Sequence, residues 1–143
     1  MTTNNTLSVN ITMKRLQLIR EYVALQEKLV SAAVSKLSPG ASEYDFEESL
    51  AAMTTIDDGT TWLAKAHGLG VMFTNPKSRT VVDAHIGFID APNVFDAWRL
   101  VQYCESTQRT NEDLKSWQET LEELTRNGTI EPHRRHERHY VMK

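Results

Sequence analysis

"AHGLGVMF" at residues 66–73 and "VDAHIGF" at residues 82–88 are the two segments that predict a β-sheet most clearly. From residue 60 to residue 89, β-branched and aromatic residues alternate with other types, which is the two-residue period of a β-strand. "NPKS" at residues 75–78 interrupts this alternation with a turn composition. The pattern predicts an antiparallel hairpin with its loop at NPKS.

The register of this hairpin follows from its two faces, because residues that lie opposite each other in an antiparallel pair point to the same side. A loop with an even number of residues brings the most apolar positions together. The predicted buried face holds His67, Leu69, Val71, Phe73, Val82, Ala84, Ile86 and Phe88. The predicted outer face holds Gly68, Gly70, Met72, Val81, Asp83, His85 and Gly87.

Helices are predicted on both sides of the hairpin. Apolar residues recur every three or four positions from Ile11 to Leu37, which predicts a long N-terminal helix. A second, buried helix is expected to start after "DAPN", with Asn93 as its cap. Thr110 is expected to cap a third, surface helix that stops at Asn127–Gly128.

The chain has 143 residues, 40% of them hydrophobic, which is enough for one domain with its own core. We expect a flexible N-terminus at residues 1–10 and a single α+β domain at residues 11–143. The predicted architecture is a long N-terminal helix, a central antiparallel β-hairpin or small sheet, two further helices and a short C-terminal strand. This last strand, around Tyr140–Met142, is expected to add to the hairpin.

The cellular compartment is predicted from the composition of residues 1–10 and from the number of cysteines. Residues 1–10, "MTTNNTLSVN", have neither the basic start nor the apolar run of a signal peptide, and a single cysteine excludes an internal disulfide. No window approaches the roughly 18 apolar residues of a membrane helix. A cytoplasmic protein with no membrane partner is expected.

Charge is uneven along the chain, although the formal total is only −3. Six acids and no Lys or Arg lie between Leu37 and Ala64, the reverse of the basic stripe of a nucleic-acid-binding protein. A solvated surface is one interpretation, and a negative patch that docks on a basic partner is another. The candidate partner-binding residues are Glu43, Tyr44, Asp45, Glu47, Glu48, Asp57, Asp58 and Trp62, with Trp62 or Tyr44 as an exposed anchor.

Three hairpin residues form the alternative site. His67, Asp83 and His85 are the residue types of a carboxylate and histidine dyad or of an incomplete metal site. The predicted register separates His67 from Asp83 and His85 unless a bulge turns it over, so no catalytic residue, metal or cofactor is expected. A small enzyme or ligand-binding domain that uses these three residues stays open as the alternative function.

The C-terminal segment "HRRHERH" alternates histidines with arginines at residues 133–139. Metal binding by His133, His136 and His139 is disfavoured, because neighbouring arginines repel a cation. Contact with nucleic acid or with an anionic partner and simple solvation stay open as alternatives. Cys104 lies on an apolar helix face and is expected to be inert.

Five strings together are similar to a known family. They are "REYVALQEKLV" (residues 20–30), "HGLG" (residues 67–70), "VDAHIGF" (residues 82–88), "FDAWRL" (residues 95–100) and "LEELTRNGTIEP" (residues 121–132). In this order they resemble a family of small bacterial proteins, of uncharacterised domain, encoded near polymorphic and secretion-delivered toxins. The acidic segment at residues 39–59 has no counterpart in the resemblance.

The resemblance implies an immunity protein, which binds a cognate toxin in the cytoplasm and occludes its active site. The implied partner is a basic toxin that acts on nucleic acid or nucleotides. The acidic residues of this chain would then compete for the basic groups of the toxin. No enzyme activity is expected.

Overall fold

The computed structural model describes residues 2–34, 51–67, 70–85, 93–107 and 114–143. The helices in these ranges are α1 (Thr2–Val34), α2 (Ala97–Ser106) and α3 (Leu114–Arg126). The strands are β1 (Ala51–Thr55), β2 (Thr61–His67), β3 (Gly70–Thr74), β4 (Val81–His85), β5 (Val94–Asp96), β6 (Ile130–Pro132) and β7 (His139–Met142).

Two antiparallel sheets organise the fold. The larger sheet has the order β1-β2-β3-β4, and the smaller has the order β5-β7-β6. The predicted α+β class is confirmed, with a long N-terminal helix, an antiparallel sheet, two further helices and a short C-terminal strand. None of the helices that the structure describes combines the length and apolar content needed to cross a membrane.

The predicted register of the hairpin is confirmed for strands β3 and β4. Val71 lies opposite Ala84 and Phe73 lies opposite Val82, and all four side chains are buried. Asn75 opens the turn between the strands, where its backbone N–H donates to the carbonyl oxygen of Thr80 at 2.9 Å. Alternation of apolar residues around a turn composition was a sufficient signal, because both are local.

The first predicted strand is in fact two strands. β2 ends at His67, β3 begins at Gly70, and the two pair antiparallel with His67 opposite Gly70. The predicted hairpin is therefore part of a meander of four strands. The break between β2 and β3 places His67 on the opposite face of the sheet from the one predicted for it.

The C-terminal strand does not add to the large sheet, so that prediction is wrong. β7 lies between β5 and β6, with Val141 opposite both Val94 and Glu131. The ring of Phe95 on β5 stacks on that of Tyr140 on β7, with centroids 5.8 Å apart. Edge strands β5 and β6 thus obtain their hydrogen-bond partner from the end of the chain.

Two helix starts also differ from prediction. α2 is capped by Asp96 and not by Asn93, because residues 94–96 are extended in β5; the Asp96 carboxylate accepts from the backbone N–H of Trp98 at 2.8 Å. α1 starts at Thr2, nine residues before the predicted helix start at Ile11. Residues 2–10 contain no Gly or Pro that would stop helix propagation. The predicted cap Thr110 lies outside the described residues.

One hydrophobic core joins all these elements. It takes Ile19, Tyr22 and Leu29 from α1, together with buried side chains of both sheets. From α3 it takes Trp117, Leu121 and Leu124, the stripe predicted from their spacing. α1 thus packs between the inner face of the large sheet and the C-terminal half of the chain. Met53, Leu63 and Met72 lie on the opposite face of the large sheet, where their side chains are exposed.

Arg15 is a buried cation that fastens α1 to α3. Its guanidinium donates to the carbonyl oxygen of Ser116 at 2.9 Å and to the hydroxyl of Thr120 at 2.6 Å, and it lies 5.0 Å from the ring centre of Trp117. Burial lowers the pKa of this guanidinium. Hydrogen bonds and the aromatic ring replace the lost water, as a buried charge requires.

Candidate functional site

The predicted acidic patch is only partly within the described residues. Glu43, Tyr44, Asp45, Glu47 and Glu48 lie outside them. Asp57 and Asp58 lie in the exposed turn between β1 and β2, where Gly59 has the positive φ of 83° that the turn needs. The "DDG" turn prediction is confirmed.

Asp58 holds this turn in shape. Its carboxylate accepts hydrogen bonds from the backbone N–H of Thr60 at 2.9 Å and from the Thr60 hydroxyl at 2.5 Å. These bonds, the hydroxyl first, lower the pKa of Asp58. The carboxylate is therefore anionic at neutral pH and fixed in position.

Asp57 has a basic partner that the sequence pattern did not show. The Lys28 ammonium on α1 lies 3.4 Å from its carboxylate, although no Lys or Arg lies near Asp57 in sequence. Helix α1 thus offsets part of the local negative charge. The described part of the acidic patch is a pair of carboxylates with one cation beside it.

Trp62 is not an exposed anchor, so that prediction is wrong. Its side chain is 4% exposed, and its indole N–H donates to the Thr60 hydroxyl at 2.8 Å. Strand alternation places Trp62 on the same side of β2 as Ala64, which faces the core. Its role is to tie the acidic turn to the hydrophobic core.

Sequence reasoning assigned no functional role to three exposed apolar side chains on the face of the large sheet opposite α1. Met53 is 50% exposed, Leu63 is 42% exposed and Met72 is 36% exposed. We name these three residues, with Thr55 and Lys65, the open face. The signal was present in the alternation: once Trp62 and Ala64 point inward, Leu63 must point outward.

The strand register makes the open face continuous. Met53 on β1 lies directly opposite Leu63 on β2, and Lys65 on β2 lies opposite Met72 on β3. Leu63 and Met72 are diagonal neighbours, a distance that long side chains bridge. Three large apolar side chains from three strands therefore form one surface.

A cleft of about 500 Å³ borders the open face at Thr55. Glu27, Lys28 and Ser31 of α1 also line it, together with Asp57. Apolar surface and charged groups of both signs meet there. The cleft has the size of a pocket that receives an anchoring side chain or small ligand.

The predicted separation of His67 from Asp83 and His85 is also wrong. His67 lies opposite Gly70, and Gly70 lies opposite His85, so the two histidine positions occupy one row across three strands. Alternation along β4 places Asp83 on this same side of the sheet. The cause is the break between β2 and β3, which sequence periodicity alone did not reveal.

Asp83 itself is held by α2. Its side chain is 5% exposed, and its carboxylate lies 2.8 Å from a guanidinium nitrogen of Arg99. Tyr22 of α1 donates its hydroxyl to the backbone oxygen of Asp83 at 3.0 Å, and burial raises the pKa of this phenol far above its usual range. Asp83 thus connects β4 to both helices.

The C-terminal histidines lie together at the tip of the β6–β7 hairpin. The ring centres of His133 and His136 are 5.0 Å apart, and those of His136 and His139 are 5.5 Å apart. Within the described ranges, no group of three or more His, Cys, Asp or Glu side chains is arranged to hold a metal ion.

These features describe an α+β protein whose long helix packs on one face of a four-stranded sheet, with exposed apolar side chains of β1, β2 and β3 on the opposite face. The chain belongs to a family described as a domain of unknown function, DUF6896, whose model matches residues 15–141. No curated protein and no solved structure matches the chain.

Proposed function

We propose that this chain is an immunity protein that binds a cognate toxin and occludes its active site through the open face. The observation that carries the proposal is the row of exposed apolar side chains of Met53, Leu63 and Met72 on the face of the sheet opposite α1. Contiguous exposed apolar side chains of this size cost solvation free energy in an isolated protein and are typical of protein interaction sites.

The chemistry of the open face suits a protein partner. Methionine side chains adapt to irregular surfaces, and leucine adds a rigid apolar contact. Thr55 and Thr61 flank them, with hydroxyl oxygens 3.0 Å apart, and supply polar groups for the rim. An apolar centre with a polar rim is the usual anatomy of a protein interface.

The acidic turn supports a basic partner. Asp58 is fixed and anionic, and Asp57 beside it is exposed and lines the cleft. Carboxylates at the edge of an apolar surface accelerate encounter with a positively charged protein and lose this effect as salt rises. A toxin that holds nucleic acid or a nucleotide with basic groups has the complementary surface.

The test is co-expression of the chain with the product of the adjacent reading frame, followed by purification of the complex and affinity measurement. Met53→Glu and Leu63→Glu each introduce a charge at the centre of the proposed interface, and we expect each to weaken binding by about tenfold or more. Met13→Glu is the matched control, because Met13 is 57% exposed on α1. A complex that tolerates both sheet variants contradicts an interface on the open face.

The charge contribution is tested separately. Asp57→Lys is expected to slow association and to flatten its dependence on ionic strength, whereas Glu105→Lys, an equal charge reversal at an exposed position of α2, is expected to change neither. If no toxin-like product binds the chain or is inhibited by it, the immunity function itself is contradicted.

A second candidate is a small enzyme or ligand-binding domain that uses His67, Asp83 and His85. Its support is the register, which aligns His67 with His85 on the Asp83 side of the sheet. The ion pair of Asp83 with Arg99 speaks against a free carboxylate. Titration with Zn²⁺, followed by amide NMR shifts, separates the two: shifts at this row that His67→Ala abolishes would favour a ligand site.

A further inference from the structure

The tip of the β6–β7 hairpin is an ordered turn. The backbone N–H of His133 donates to the carbonyl oxygen of His139 at 2.9 Å, and that of His139 donates to His136 at 3.3 Å. Arg138 closes the turn with a positive φ of 64°, and its guanidinium lies 3.4 Å from the Asp96 carboxylate at the start of α2. The tip is thus attached to the body of the protein.

His133 fixes the backbone of the two arginines that follow it. Its Nδ1 accepts the backbone N–H of Arg135 at 3.1 Å and that of His136 at 3.3 Å. A ring nitrogen that accepts hydrogen bonds carries no proton, so the imidazole is neutral with its proton on Nε2. The backbone that carries the side chains of Arg134 and Arg135 is therefore held in one conformation.

A cleft of about 500 Å³ lies beside this turn. It is lined by Glu131, Pro132, His133, Arg134, Arg135 and Val141. The Glu131 carboxylate lies 3.4 Å from the Lys143 ammonium, which offsets its charge. Neither Arg134 nor Arg135 forms an ion pair with the residues that the structure describes. The electrostatic character of the cleft is consequently positive.

We propose that this cleft binds a small phosphorylated ligand, with Arg134 and Arg135 on the phosphate and the apolar surface of Pro132 and Val141 against the rest of the molecule. Guanidinium groups match phosphate oxygens in pairs of parallel hydrogen bonds. The volume lies in the range of sites for small organic ligands. This inference is independent of toxin binding, because the hairpin tip and the open face use different strands and different residues.

The test uses two probes on the full chain: inorganic pyrophosphate, which offers phosphate alone, and adenosine 5′-monophosphate, which adds a planar body. We expect saturable amide shifts at residues 133–135 with both probes, and tighter binding of the monophosphate. Arg134→Ala/Arg135→Ala is expected to weaken both by about tenfold or more, because each loses charge-assisted hydrogen bonds.

The matched control removes the same charge elsewhere. Arg20→Ala/Arg126→Ala deletes two exposed arginines on α1 and α3 and is expected to leave both affinities within about twofold. Equal weakening in the two double variants would overturn the proposal, since general charge would then explain the binding. Absence of saturation with either probe, or binding of pyrophosphate alone, would also overturn it. Circular dichroism and the thermal midpoint of each variant establish that it is folded.

Discussion

His133 and Asn75 hold two different hairpin turns with the same pair of hydrogen bonds. The Asn75 side-chain oxygen accepts the backbone N–H groups two and three residues later, at 2.9 and 3.2 Å. His133 Nδ1 accepts the corresponding N–H groups at 3.1 and 3.3 Å. Each turn then closes with an arginine at positive φ, Arg79 in one and Arg138 in the other. An imidazole here does the work of an Asn side chain, with one difference: it can take up a proton.

The turn at His133 is therefore expected to open in acid. Partial desolvation, together with the charges of His136, His139 and Arg135, lowers the pKa of His133. The unfolded turn then binds the proton more readily than the folded turn, so the stabilisation is present above the ordinary histidine pKa of about 6.5 and is lost as pH falls below it. Amide hydrogen exchange at residues 135 and 136, measured against pH, checks this.

The same molecule supplies the control for this pH effect. The backbone N–H groups of Lys77 and Ser78 donate to the Asn75 side-chain oxygen, and their protection from hydrogen exchange should not change with pH. His133→Asn should make the C-terminal turn equally insensitive to acid, because an amide oxygen accepts at any pH. Acid sensitivity that persists in this variant would assign the effect to another group.

Arg15 is expected to be a major contributor to the packing of α1 on α3. Arg15→Lys keeps the charge but cannot reach Ser116 and Thr120 with the same planar group. We expect a loss of about 2–3 kcal/mol in the free energy of unfolding, measured by urea denaturation. Arg20→Lys, on the exposed side of α1, should change it by less than about 0.5 kcal/mol.

The ion pair of Asp83 and Arg99 is expected to couple β4 to α2. A double-mutant cycle of Asp83→Ala and Arg99→Ala should give an interaction energy of about 1–3 kcal/mol, because the carboxylate is buried and the guanidinium is one-third exposed. An interaction energy near zero would contradict the prediction, because the ion pair would then make no net contribution to stability.

Arg79 adopts a backbone conformation that favours glycine. Its φ is 61°, where a Cβ atom crowds the carbonyl oxygen that follows it. Arg79→Gly is therefore expected to be more stable than Arg79→Ala by about 1 kcal/mol, since both variants lose the same side-chain functions. Thermal unfolding of the pair measures this difference, and alanine equal to glycine would contradict it.

Local signals accounted for the parts of the fold that could be predicted. The β3–β4 register followed from Val71, Phe73 and Val82 around a turn, and α3 followed from the spacing of Trp117 and Leu121. The smaller sheet could not be predicted, because its strands are three or four residues long and pair across long separations in sequence.

The candidate site failed to follow from sequence for a related reason. The break between β2 and β3 places position 67 on the face opposite the predicted one. The alternation of apolar and polar residues cannot reveal such a break when no turn composition marks it. The packing of α1 brings Lys28 beside Asp57, where it offsets the negative charge. The two residues are far apart in sequence, so a count of charges in residues 37–64 does not include Lys28. The outward position of Leu63 was readable, but its exposure depended on which face α1 covers.

The position of β7 in the middle of its sheet sets an order for biosynthesis. β5 and β6 leave the ribosome earlier, yet among the described strands each pairs only with β7. Met142 also donates its backbone N–H to the carbonyl oxygen of Asn93 at 2.9 Å, and Lys143 donates to that of Thr129 at 3.1 Å. The four-stranded sheet can therefore form first during translation. Until β7 emerges, the backbone groups of β5 and β6 that pair with it are unpaired and available to chaperones.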